Sequence, residues 1–120
     1  MENVTAASNV IGLSVENKAG EDLGTIKDLA IDFETGCVAY AVLSFGGVLG
    51  LGDKLFAVPW IALMYDASNN CFTLDAEKES LENAPGFDKD NWPDMADQRW
   101  GRTVHEYYGV EPYWETTTIR

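Results

Sequence analysis

Two apolar-rich runs, residues 23–33 and 37–45, flank the polar link Glu34-Thr35-Gly36, whose glycine can take the positive φ that a tight reversal needs. The pattern predicts a β-hairpin. Leu29, Ile31 and Phe33 share one parity, while Ile26 falls on the other. A bulge near Lys27-Asp28 would bring both Ile26 and Leu29 inside, and would bend the strand so that a small sheet can curl on itself. The second run is apolar on both parities, with Val38, Tyr40 and Val42 alternating against Cys37, Ala39, Ala41 and Leu43. A central strand covered on both faces reads this way.

Shorter elements surround the hairpin. Residues 1–9 are small and polar and predict a frayed lead-in. Residues 10–15 predict a first strand, followed by turn chemistry at Glu16-Asn17-Lys18-Ala19-Gly20. Leu55 to Val58 predicts a strand ended by Pro59, which cannot donate to a ladder. Trp60, Ile61, Leu63 and Met64 predict a helical or 3₁₀ turn plugging the sheet, and Cys71 to Leu74 a closing strand after the turn run Asp66-Ala67-Ser68-Asn69-Asn70. Short strands between Gly, Asn and Asp turns at roughly ten-residue spacing favour a small barrel. Beyond it the texture changes. A helical turn is expected within residues 76–83, and a further helix over residues 94–105, capped by Asp94, with Met95, Trp100 and Val104 on one face.

The chain has 120 residues, enough for one domain with an appended tail and a core that needs no staples. Twenty Asp and Glu against eight Lys and Arg give a formal net charge of -12. Such a field repels phosphate backbones, so nucleic acid is excluded as an expected partner, and a solvated acidic surface is the plain reading. The first ten residues have neither a basic start nor an apolar run, and nowhere do about 18 apolar residues run together, so a cytoplasmic protein with no membrane insertion is expected.

Residue types capable of chemistry are sparse. Cys37 and Cys71 lack the close spacing of a metal or redox pair and read as small buried hydrophobes. Four glycines within residues 46–52 invite comparison with a phosphate-cradling loop. Such a loop needs a helix directly after it, whereas residues 53–58 are strand-like, so a packed connection is expected. His105 is the one available base for a hydrolytic site and otherwise reads as a partly exposed histidine near a helix C-terminus. Asp88, Asp90 and Asp94 carry oxygen ligands that suit Ca²⁺ or Mg²⁺, but Trp92 and Pro93 break the EF-hand template, and these three stand only as weak metal candidates. Asp28 and Asp32 are expected to bond turn amides.

Gly20-Glu21-Asp22-Leu23-Gly24 with Ile26, Asp28, Ile31-Asp32, Thr35-Gly36, Tyr40, Gly46-Gly47 and Val58-Pro59-Trp60 resembles the PRC-barrel family, which includes the cytoplasmic barrel of the photosynthetic reaction centre H subunit and a domain of a ribosome maturation factor. The resemblance covers residues 9–75. It implies a mainly β fold, a small closed or partly open barrel of about six strands serving as an assembly module, with no catalytic residues and no cofactor to carry over. Residues 76–120 then form a C-terminal extension with a short helix, packing on the barrel or on a neighbouring subunit. Strong acidity departs from the ribosomal branch, and the lack of an anchor departs from the reaction-centre subunit.

Within the extension, Phe87 is followed by Trp92, Trp100, Tyr107, Tyr108, Tyr113 and Trp114, more aromatics than a solvated linker keeps. Those six either cover the barrel from within the chain or form an interface with another subunit. The reading is a non-catalytic, self-associating interaction module, a dimer by preference, that docks a protein partner. The alternative is an acidic surface that handles cations or protons at a membrane-linked, photosynthetic-type complex.

Overall fold

The computed structural model describes residues 4–45 and 54–115. Its central hairpin pairs β2 (Asp22–Asp32) antiparallel with β3 (Cys37–Phe45). The turn is closed by Asp32, whose Oδ1 accepts the amide hydrogens of Glu34 and Thr35 at 2.8 and 3.2 Å, and Gly36 supplies the positive φ of 76°. Asp28 instead accepts from the neighbouring Leu29 amide, outside any turn.

The bulge lies where the alternation requires it. Ile26 faces Leu43 and Asp28 faces Val42, so Lys27 is the extra residue, and Ile26 and Leu29 both pack on the core. A second irregularity comes further along, since Ala30 faces Tyr40 and Ile31 faces Val38, leaving Ala39 extra on β3. The outer end of the hairpin runs on beyond β1 (Ser14–Glu16), which pairs with β2 only at Thr25 and Asp22. Ile31 and Phe33 share the parity of Leu29 but lie past that stretch, and both are exposed.

The sheet has the order β4-β3-β2-β1-β6-β5, with β4 spanning Lys54–Pro59, β5 Leu63–Asp66 and β6 Cys71–Leu74. All neighbours are antiparallel except β1 and β6. It curls into a half-barrel, the open form of the barrel expected. Gly24 permits the curl: its φ is +111°, and a Cβ there would stand 2.3 Å from the Ser44 carbonyl oxygen. Inside lie Val15, Leu23, Leu43, Phe56, Val58 and Leu74, joined by Leu81 of the short helix α1 (Lys78–Glu82).

Several local expectations are corrected. The first strand is confined to Ser14–Glu16, because Gly12 at φ +100° turns the chain after Val10 has entered the core, and the lead-in contains a 3₁₀ turn, Ala7–Asn9. The 3₁₀ turn after Pro59 is only Trp60–Ala62, so Leu63 and Met64 belong to β5, and β6 sits between β1 and β5 instead of closing the sheet. Cys71 is buried, but Cys37 is partly exposed and lies 2.8 Å from the Thr35 hydroxyl. Residues 46–52, whose glycines invite comparison with a phosphate loop, lie outside the described residues.

Helix α2, Gln98–Tyr107, starts later than expected because Asp97, not Asp94, is its cap, accepting the Arg99 amide hydrogen at 2.9 Å. Asp94 turns the preceding segment by accepting from Ala96. The helix lies on the outer face of β3 and β4, where Trp100 and Val104 pack against Tyr40 and Ala57. β3 is thus covered on both faces. Before the helix, Phe87 exchanges backbone hydrogen bonds of 2.8 and 3.0 Å with Leu55 and so covers part of the side of β4 that no other strand among the described residues pairs with.

Candidate functional site

The projecting hairpin and the start of α2 enclose a cleft of about 320 Å³. Ala30 to Glu34 form one wall, Met95 to Gln98 the other, and Ala39, Tyr40, Tyr113 and Trp114 the remaining lining. At the rim, Phe33 is 95% exposed and Ile31 52%. An isolated exposed apolar residue is ordinary, but here two line one cleft together with Met95 and Trp114.

The inner side of the cleft is held by a polar and aromatic lock between hairpin and tail. Tyr113 opens the last 3₁₀ turn, Tyr113–Glu115, and its hydroxyl donates to Asp32 Oδ2. That bond, with the turn amides, holds the Asp32 carboxyl below its ordinary range. Burial and the nearby Asp32 charge push the Tyr40 phenol up to about 12, and burial and the same carboxylate raise Tyr113 as well. The rings of Tyr40 and Trp100 meet edge-on at 5.1 Å, as do those of Tyr113 and Trp114 at 5.2 Å. Gly101 makes the approach possible, because a Cβ there would stand 2.6 Å from the Tyr40 hydroxyl oxygen and 2.8 Å from Trp114.

From the sequence, His105 reads as a helix-end residue, partly exposed and favoured as a cation. It is near the C-terminus of α2 but fully buried. Its Nδ1 lies 2.7 Å from the Gly101 carbonyl oxygen, and its Nε2 lies 3.3 Å from the Tyr113 amide nitrogen. A carbonyl only accepts and an amide N–H only donates, so the ring is neutral with its proton on Nδ1. Burial depresses its pKa, overcoming the Gly101 bond. Both nitrogens are occupied, Nδ1 within α2 at Gly101 and Nε2 in joining the helix to the tail at Tyr113.

The six aromatics singled out from the sequence divide. Trp100, Tyr113 and Trp114 cover Tyr40 from within the chain, and Tyr108 packs on the inner core. Tyr107, though exposed, donates its hydroxyl hydrogen to the Ser80 carbonyl at 2.6 Å and ties α2 to α1. Trp92 is exposed and leans on Phe87, with ring centroids 5.3 Å apart. Asp88, Asp90 and Asp94 are all exposed, and among the described residues no group of three or more His, Cys, Asp or Glu is placed to hold a metal ion. Ile31 and Phe33 are not among the site residues that the sequence suggests. The signal available for them is position, since Phe33 directly precedes the turn, where a hairpin has least neighbouring structure to bury against.

A curled, mostly antiparallel sheet, braced by an aromatic tail and carrying a cleft at one hairpin end, defines a small domain of the half-barrel class. The family model described as PRC-barrel domain matches residues 2–81, and the chain belongs to that family, a non-enzymatic domain type. The match runs as far as Leu81, the buried anchor of α1. A search of curated proteins finds no match. No helix among the described residues is long and apolar enough to cross a membrane.

Proposed function

We propose that this chain is a non-catalytic protein-interaction and assembly module which docks a polypeptide segment in the cleft between the β2–β3 hairpin and α2. The observation that carries this reading is Phe33, whose ring stands almost wholly in solvent beside Ile31, at the mouth of a cleft walled by Met95 and Trp114. Aromatic anchors set in such surroundings supply most of the free energy of many protein interfaces. Peptides selected on the whole protein from a random library test it. They are expected to shift the amide resonances of Ile31, Phe33 and Ala96 and to lose affinity for Phe33→Ser. Selected peptides that map to other surfaces and ignore this substitution would refute it.

Self-association belongs to the opposite edge of the sheet. β5 has a neighbour on one side only among the described residues, and Met64 on it is 72% exposed, so a second copy could pair there edge to edge. Sedimentation equilibrium of wild type and Met64→Lys checks this, with dissociation of the variant expected.

A proton-handling surface has weaker support. Asp32 is held below its ordinary range while Tyr40 and Tyr113 are raised, so none of the three exchanges protons near neutral pH. His105 has no free nitrogen to offer.

A further inference from the structure

We infer that the segment taken up by this cleft is cationic as well as apolar, a Lys or Arg set next to a bulky apolar side chain of another polypeptide. The inference rests on the docking role proposed above and names its partner chemistry. The lining supplies three carboxylates, Asp32, Glu34 and Asp97, and no Lys, Arg or His. Asp97 is met by the highly exposed Arg99 at 3.6 Å, but neither Asp32 nor Glu34 has an ion pair among the described residues. Asp32 is satisfied by a hydroxyl and two backbone amides, which hold the charge in place without cancelling it.

That charge persists at neutral pH. The Tyr113 hydroxyl keeps Asp32 below its ordinary range, and the Arg99 amide does the same for Asp97. Around the cleft stands the field of a chain with formal net charge -12, which steers cations in and repels anionic surfaces such as phosphate backbones and acidic membranes. The same field argues against a second copy as occupant, since it would bring another -12 to the carboxylates. The volume of about 320 Å³ suits a few side chains of an extended segment better than a folded surface.

The test uses the whole protein and two short end-capped peptides of the same length, one of Arg and Leu, the other of Glu and Leu, titrated by amide chemical shifts. The Arg–Leu peptide is expected to shift Ile31, Phe33, Glu34 and Ala96 and to bind about tenfold or more tightly than the Glu–Leu peptide at low salt, the gap narrowing as salt is added. Glu34→Lys, an exposed turn position, should weaken the first peptide and strengthen the second, and Phe33→Ser should weaken both. Equal binding of the two peptides, unmoved by Glu34→Lys but lost in Phe33→Ser, would overturn the charge assignment and leave the docking role standing. Shifts away from the cleft with no effect of Phe33→Ser would remove both. If dilution of the protein alone moved the cleft resonances and neither peptide competed, the occupant would be a second copy and the inference would fail.

Discussion

Asp32, at the end of β2, accepts the hydroxyl hydrogen of Tyr113, which lies 81 residues further along the chain. One carboxylate therefore closes the hairpin turn through the Glu34 and Thr35 amides and fastens the tail to that same turn. Tyr113→Phe removes the long-range bond while keeping the ring in its buried place. The expected loss is about 1 kcal/mol, below the usual range for a bond to a charged group because Asp32 is partly solvated. Urea unfolding of Tyr113→Phe, Asp32→Asn and the double variant measures it, and the two single losses should not add. The bond also depresses the Asp32 pKa below the ordinary aspartate value of 3.8. Its contribution is therefore complete above pH 3.8 and fades as pH falls further, through the folded-state value.

A separate acid sensitivity comes from His105. Its folded-state pKa is lowered from 6.5, mainly by burial, with the Arg102 charge adding to the effect. The unfolded chain thus binds a proton more readily than the folded one. Stability is full above pH 6.5 and declines as pH drops toward the folded-state value, where the decline levels off. Protonated Nε2 can no longer accept from the Tyr113 amide, so the tail should loosen before the sheet does. Hydrogen exchange at the Tyr113 amide is expected to accelerate as pH falls below 6.5 in the wild type and to lose that step in His105→Gln, after correction for intrinsic rates. A step that survived the substitution would assign the sensitivity elsewhere.

Much of the sheet is legible in advance, because period-two alternation and turn residues are local signals. The parity conflict between Ile26 and Leu29 locates the Lys27 bulge, and the two-sided run at residues 37–45 locates the central strand. The second irregularity, at Ala39, leaves no such mark, since Ala39 and Tyr40 fit either face of a strand that is covered on both. Ile31 and Phe33 are exposed for a different reason: they lie past the stretch of β2 that β1 pairs with. The lock between Asp32 and Tyr113 is out of reach for another reason: nothing in local spacing tells which hairpin a distant tail will meet. His105 departs from its sequence reading because a helix C-terminus favours a cation only where water remains, and here the tail folds over it.

Gly101 should tolerate no side chain, although it sits inside a helix where alanine is normally better by about 1 kcal/mol. A Cβ would stand 2.6 Å from the Tyr40 hydroxyl oxygen and 2.8 Å from Trp114. Gly101→Ala is therefore expected to lose about 1–3 kcal/mol net, as overpacked cores do. The Tyr40 hydroxyl has no hydrogen-bond partner among the described residues, so Tyr40→Phe should be neutral or slightly stabilising. Combined, the two should cost less than Gly101→Ala alone, because the nearer obstacle is gone while the indole remains. Thermal or urea unfolding of the three variants decides it.

Gly86 guards the edge of the sheet. It allows Phe87 to reach Leu55, and a Cβ at Gly86 would meet the Leu55 carbonyl oxygen at 2.8 Å and the Lys54 side chain at 2.6 Å. Lys54 can swing aside, but the carbonyl is part of β4 and cannot move without disturbing its pairing with Ser44. Gly86→Val should therefore detach the Phe87 bridge and leave the outer side of β4 open at Leu55. An uncovered strand edge is a template for pairing with another chain. Two observations are expected together: faster amide hydrogen exchange at Leu55 and Phe87, and an apparent mass by light scattering above that of the wild type at equal concentration. Faster exchange without added scattering would mean that the bridge anchors the extension but does not protect the edge.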